Sequence, residues 1–151
     1  MRNDEWEADP ELRQLRSELI DTFPARRAEL DSRLAMLARG QAGKAECLEI
    51  HVAVHKLAGA ASSYGLMALG SLAEALDDLL GAELATGKEV EGPLDRLPER
   101  VALLSRALEE AYLARGDAPR AAASAEGRKL ISDAESLLSG ASSGSSSDPA
   151  R

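Results

Sequence analysis

HVAVHKLAGAASSYGLMALG, residues 51–70, carries its apolar side chains at helical spacing. Read back to Cys47, the apolar positions are Cys47, Ile50, Val54, Leu57 and Ala61. That 3-4-3-4 interval is the mark of a helix with one buried stripe. At 3.6 residues per turn, His55 falls roughly 100° round from Val54 and about 160° from Leu57. It therefore lies off the core stripe and faces outward. Gly59 sits one turn later on the same face, with Ala58, Ala60 and Ala61 keeping the neighbourhood small, and Tyr64-Gly65 closes the segment. An outward imidazole beside a residue without a side chain suits reaction with a second molecule.

Working outward, the same periodicity predicts helices on both sides. A first helix spans about Pro10 to Thr22, with Asp9 as N-cap and Pro10 at the first helical position. Its narrow stripe is Leu12, Leu15, Leu19 and Phe23. Pro24 biases Phe23 away from helical geometry, so a bend precedes a second helix reaching about Arg39, with Leu30, Leu34 and Leu37 inward. Gly40 and Gly43 mark a stop and a short turn. The third helix, about Lys44 to Ser63, carries the opening stretch. Gly65 permits a tight reversal into a fourth, about Leu66 to Thr86, with Leu66, Leu69, Leu72, Leu76 and Leu79 at helical spacing, so the two pack as an antiparallel hairpin. Gly87 closes the fourth helix and Gly92-Pro93 marks a loop. The fifth stripe is Leu94, Leu97, Val101, Leu104, Leu108 and Ala111. Pro98 fits only in a first turn, so that helix starts near Leu97 and ends before Gly116.

The ends differ in composition. Residues 1–9 are expected to fray, with Trp6 a candidate apolar anchor. Residues 117–151 are rich in Ala, Ser and Gly, too poor in apolar surface to offset their ordering entropy. Leu130, Ile131, Ala134, Leu137 and Leu138 allow a short, loosely held helix near 128–138. The expected fold is all-α: an antiparallel up-and-down four-helix bundle over residues 10–116, with an extra N-terminal helix and a flexible C-terminal tail.

Composition narrows the function. The hydrophobic fraction of 44% is mostly Leu and Ala, with 3% aromatic residues, which favours helices. A net charge of −8 disfavours nucleic acid and anionic membrane surfaces as partners. No apolar run approaches a bilayer's thickness, and the acidic start is unlike a signal peptide. The single cysteine, Cys47, permits no internal disulfide and reads as core filler in a reducing compartment. The expectation is a cytoplasmic monomer.

The run from His55 to Gly65 resembles the histidine-containing phosphotransfer (HPt) family in its bacterial stand-alone form. The family's signature is an accepting histidine, a leucine two residues on, a glycine at plus four, small residues after it, and an aromatic or aliphatic residue before a second glycine. The matching residues are His55, Leu57, Gly59, Ala60-Ala61 and Tyr64-Gly65. Many members carry lysine at plus three, where this chain has Ala58; Lys56 at plus one is the candidate cation instead. The resemblance implies a phosphocarrier in a multistep phosphorelay, with His55 shuttling a phosphoryl group between receiver-domain aspartates. It implies as partners the receiver domains of response regulators or a hybrid histidine kinase, with Mg²⁺ on the receiver and no cofactor of the chain's own.

Around His55, Lys56 and Gly59 are the candidate phosphate neighbours, and His51, Ser62 and Met67 the candidate docking residues. His51 precedes His55 by one turn, but Val52 stands where a zincin has glutamate, and two ligands fall short of a closed metal site. Asp77-Asp78 and Glu109-Glu110 read as solvated faces, because successive helical residues diverge. No Walker A loop is present, so the chain is not an ATP-using enzyme and must be given its phosphoryl group. Three alternatives stay open: an unphosphorylated HPt-like adaptor or inhibitor docking on a receiver or kinase, the dimerising part of a histidine kinase, and a metal-binding bundle.

Overall fold

The computed structural model describes residues 8–39, 43–85 and 96–146. Trp6, Gly40, Gly87, the Gly92-Pro93 loop, Leu94 and the last residues of the tail lie outside them, as does the Leu37 side chain. Every regular element among the described residues is a helix: α1 Pro10–Asp21, α2 Phe23–Ala38, α3 Gly43–Ser63, α4 Met67–Ala85, α5 Leu97–Ala114, α6 Arg120–Ala123 and α7 Ala125–Ser146. None is long and apolar enough to cross a membrane.

Helices α2 to α5 form the bundle, each packed on the next and α5 returning to α2. The predicted stripes supply its core. Cys47, Ile50, Val54, Leu57 and Ala61 of α3 are all buried, as are Leu66, Leu69, Leu72 and Leu76 before and along α4, and Leu97, Val101, Leu104, Leu108 and Ala111 of α5. Polar bonds join α2 to its neighbours. Arg33 Nη1 donates to the buried Glu46 Oε1 of α3 at 2.8 Å, and the buried Ser105 hydroxyl of α5 donates to Asp31 at 2.8 Å.

The α3–α4 turn follows from Gly65. Its φ of 74° is in the left-handed region that a side chain disfavours. The Leu66 N–H reaches back to the Ala61 carbonyl at 2.9 Å and the Gly65 N–H to Ser62 at 3.3 Å, the paired closure of a Schellman motif. Helix α5 ends the same way around Arg115, φ 54°, which is not glycine. Its guanidinium binds Ser17 Oγ at 2.9 Å and Asp21 at 2.8 Å, contacts that offset the strain.

Helix α1 begins as expected, the Asp9 carboxylate accepting from the Glu11 N–H at 2.9 Å with Pro10 next. Its inward residues differ from the predicted stripe. Phe23 is buried as predicted and Leu19 packs against the core, but Ile20, outside the stripe, is buried while Leu15 is 40% exposed. The reason is contact: α1 packs on α2 and α5, with Arg16 also donating to the Tyr64 carbonyl at 3.2 Å, and its apolar cover is at its C-terminal end. The chain breaks at Thr22, whose hydroxyl donates to the Leu19 carbonyl, one residue before the predicted bend.

The larger departure is C-terminal. Where a flexible tail with a loose helix was expected, α6 and α7 form a corner docked on α4 and α5. Leu130 and Ala134 join the core, together with Ala121. Three polar devices hold the corner. Glu110 accepts from the Ala121 N–H at 2.8 Å. Ser124 N-caps α7, accepting from the Gly127 N–H at 3.1 Å. Arg100 of α5 bonds Asp133 of α7 at 3.2 Å. Gly127 has no room for a Cβ, which would collide with the Ala121 and Ala122 carbonyls. Asp117 then reaches back to α4, accepting from Ala68 N–H and, at 3.1 Å, from Leu69 N–H. These are first-turn donors that lack a partner within their own helix.

Asp117→Ala should lower the unfolding free energy by about 1–2 kcal/mol, the worth of a lost N-cap, while Asp117→Asn keeps most of it. Urea midpoints at constant m-value test this; an unshifted Asp117→Ala midpoint would refute the cap. Gly127→Ala should speed amide hydrogen exchange through α7 while the α3 core amides stay protected.

Candidate functional site

Residues on α3 and α4 meet in pairs equally spaced about Leu66. Ser62 Oγ sits 3.1 Å from where a Cβ on Gly70 would lie. His55 faces Asp77, and His51 faces Gly81, its Nε2 3.5 Å from that residue's Cβ position. The turn at Gly65 thus brings one carboxylate of α4 between two imidazoles of α3.

The His55 side chain is 73% exposed, and its Nδ1 lies 3.1 Å from Asp77 Oδ2. His51 is half-buried, with Nε2 2.9 Å from Asp77 Oδ1. A carboxylate only accepts, so His55 Nδ1 carries the hydrogen and donates. His51 Nε2 must carry one too, since two lone pairs at that distance would repel. The ring centroids are 6.4 Å apart and tilted by 57°, so the imidazoles are joined through Asp77 rather than stacked. His55 Nε2 is at the opposite edge of an exposed ring, and in the neutral ring with Nδ1 as donor it is the nitrogen that holds the lone pair. Neutral imidazole with one nitrogen fixed as a donor is an oriented nucleophile.

The other candidates spread along the face. A Cβ on Gly59 would meet nothing within 4 Å, so this glycine answers no demand of the fold and leaves open space beside His55. Lys56 is exposed on the α2 side, in a crevice of about 140 Å³ shared with Arg26, Glu29 and Glu49. Ala58 is 4% exposed, turned to the core where a lysine would have to bury its charge. Ser62 is two turns from His55, against Gly70. Met67 is 61% exposed but stands about 15 Å along α4 from Asp77 at 1.5 Å per residue. The hairpin pairs His55 with residues near Asp77, so Met67 belongs to the turn end of the molecule. Cys47 is fully buried, and burial pushes its thiol pKa up, which suits the core-filler reading.

Three residues of this surface escaped the sequence reading. Asp77 was assigned to a solvated face, yet its side chain is only 19% exposed. Leu48 and Val52 are 44% and 46% exposed and lie two turns and one turn before His55, respectively. Their signal was available: both are apolar, and neither falls on the 47-50-54-57-61 stripe. Among the described residues, no group of three or more His, Cys, Asp or Glu side chains is arranged to hold a metal ion.

A family model, the Hpt domain, matches residues 14–114, two thirds of the chain. The chain belongs to the Hpt domain family, whose members are phosphocarrier modules of phosphorelays that work with receiver domains and kinases. No curated protein and no solved structure matched it.

Gly59→Ala should raise the unfolding free energy by about 0.5–1 kcal/mol, the helix-interior difference between the two residues. A lower urea midpoint would mean that this glycine serves the fold instead.

Proposed function

We propose that this protein is a histidine phosphocarrier that shuttles a phosphoryl group between receiver-domain aspartates through His55 Nε2. The observation that carries the reading is the pairing of an exposed His55 with Asp77, which holds Nδ1 as the donor and directs the lone pair outward. In the forward step that lone pair attacks phosphorus. The bond from phosphorus to the donor aspartate's oxygen breaks, and its electron pair stays on that carboxylate. The ring, still protonated at Nδ1, becomes positively charged as the N–P bond forms. Asp77, 3.1 Å away, lies where that charge develops, and a fixed opposite charge at such a point stabilises the transition state. Transfer to a second aspartate reverses the step. The Mg²⁺ and acidic pocket are the receiver's contribution.

The docking face consists of exposed Leu48, Val52, Lys56 and Gly59 around His55, with His51 and Ser62 at its edge. Apolar side chains beside a bare glycine let a receiver's pocket close over the imidazole. A small, transient interface of this kind is at the low end of known interface sizes, as release of each partner requires. We assign the protein to the cytoplasm, acting as a monomer. A docking-only adaptor remains the second reading, because Ala58 supplies no cation at the plus-three position and is buried.

A phosphorylated receiver should transfer label to the wild type, and not to His55→Gln; the label should be acid-labile and alkali-stable. Asp77→Asn should transfer about tenfold or more slowly, since an amide neither balances the ring charge nor fixes the tautomer. Binding to a receiver without any label, across a panel, would favour the adaptor. A Gly59→Leu variant that folds as stably as wild type should lose transfer through blocked docking.

A further inference from the structure

We infer that His51 is a positioning residue for the phosphotransfer reaction: by gripping the second oxygen of Asp77 it fixes the carboxylate that orients His55. This rests on the phosphocarrier reading of His55.

The argument starts from the freedom of an aspartate. The terminal torsion of Asp is broad and roughly two-fold, so a single bond to His55 leaves the carboxylate plane free to turn. Here both oxygens are engaged. Oδ2 accepts from His55 Nδ1 at 3.1 Å and Oδ1 meets His51 Nε2 at 2.9 Å. The first partner is on the exposed side and the second is half-buried, so the inner contact is the sheltered one. There the His51 ring edge lies against Gly81 of α4, with Nε2 and Cε1 3.5 and 3.7 Å from that residue's Cβ position, ordinary van der Waals contact. The imidazoles are tilted by 57° with centroids 6.4 Å apart rather than stacked, and Asp77 is the hydrogen-bonded link between them.

The chemistry of the inner partner matters as well. A neutral imidazole donates a hydrogen without bringing a full positive charge. Asp77 keeps its negative charge for the moment when phosphorylation makes the His55 ring positive. A lysine or arginine at position 51 would instead cancel that charge. His51 also sits one turn before His55 on a single helix, so the spacing between the two nitrogens is set by helix geometry rather than by loop conformation.

The test compares wild type, His51→Leu and His51→Gln, the last retaining an N–H donor on a side chain of similar reach. Single-turnover transfer from a phosphorylated receiver is measured against receiver concentration, and ¹⁵N NMR of the His55 ring reports which nitrogen carries the hydrogen. Circular dichroism confirms that each variant is folded. His51→Leu should slow the saturating rate about tenfold, one oriented hydrogen bond's worth. Its half-saturating receiver concentration should stay within about twofold of wild type, and the share of Nδ1–H tautomer at His55 should fall. His51→Gln should restore both rate and tautomer. Wild-type rate and tautomer in His51→Leu would overturn the inference. So would a loss confined to half-saturation and not rescued by glutamine, which would make His51 a docking contact. Should the wild type accept no label from any receiver, the phosphocarrier reading falls while the tautomer comparison still decides what His51 does to His55.

Discussion

The left-handed backbone at Gly65 is the constraint on which the site depends. It closes α3 through the Leu66-to-Ala61 and Gly65-to-Ser62 bonds and sends the chain back along the helix it has just left. Once closed, the turn fixes the register, and residues equally far from Leu66 become neighbours. A shift of one residue in α4 would rotate its face by about 100° and carry Asp77 away from both histidines. Small residues on the facing sides, Ala61 and Ser62 of α3 against Gly70 of α4, let the helices approach closely at the turn. The histidine is supplied by one helix, but its chemistry is set by the glycine that ends that helix.

The bundle was legible because its stripes are clean. Each predicted set in α3 and α5 repeats at helical spacing, and every described member of those stripes is in the core. The C-terminal corner was not legible, and the reason lies in two helices at once. Taken alone, residues 125–146 offer few apolar side chains, and burying Leu130 and Ala134 would not hold a free helix in place. Their partner surface is the back of α4. Ala75 and Leu80 are buried there in addition to the predicted Leu72 and Leu76, with Leu79 partly so. A helix apolar on more than one side needs cover on more than one side, and α7 is that cover. The hint was in α4's composition rather than in the tail's.

Asp77 was missed for a different reason. Two adjacent aspartates on a helix say nothing about which one faces a neighbour until the register is known. The register could have been drawn from Gly65 by counting outward on both sides, which pairs 55 with 77 and 51 with 81. Asp117 is harder to see. It caps α4 across a separation of nearly fifty residues, and linear sequence contains no pattern for a cap supplied by another segment. Both cases concern polar groups whose partners are distant in sequence, whereas apolar periodicity is a local signal.

Helix α3 combines these requirements on separate stripes. One is fully apolar and belongs to the core. A flank facing α4 carries His51 and His55, joined at Asp77. The opposite flank meets α2 through the Arg33–Glu46 pair and the crevice beside Lys56. What is left outward is Leu48, Val52 and Gly59 next to the exposed imidazole. The apolar residues there and the empty position at 59 contribute little to holding the bundle together. The core stripe and both flanks have partners within the fold, and on the phosphocarrier reading this strip is the surface left open to an approaching receiver.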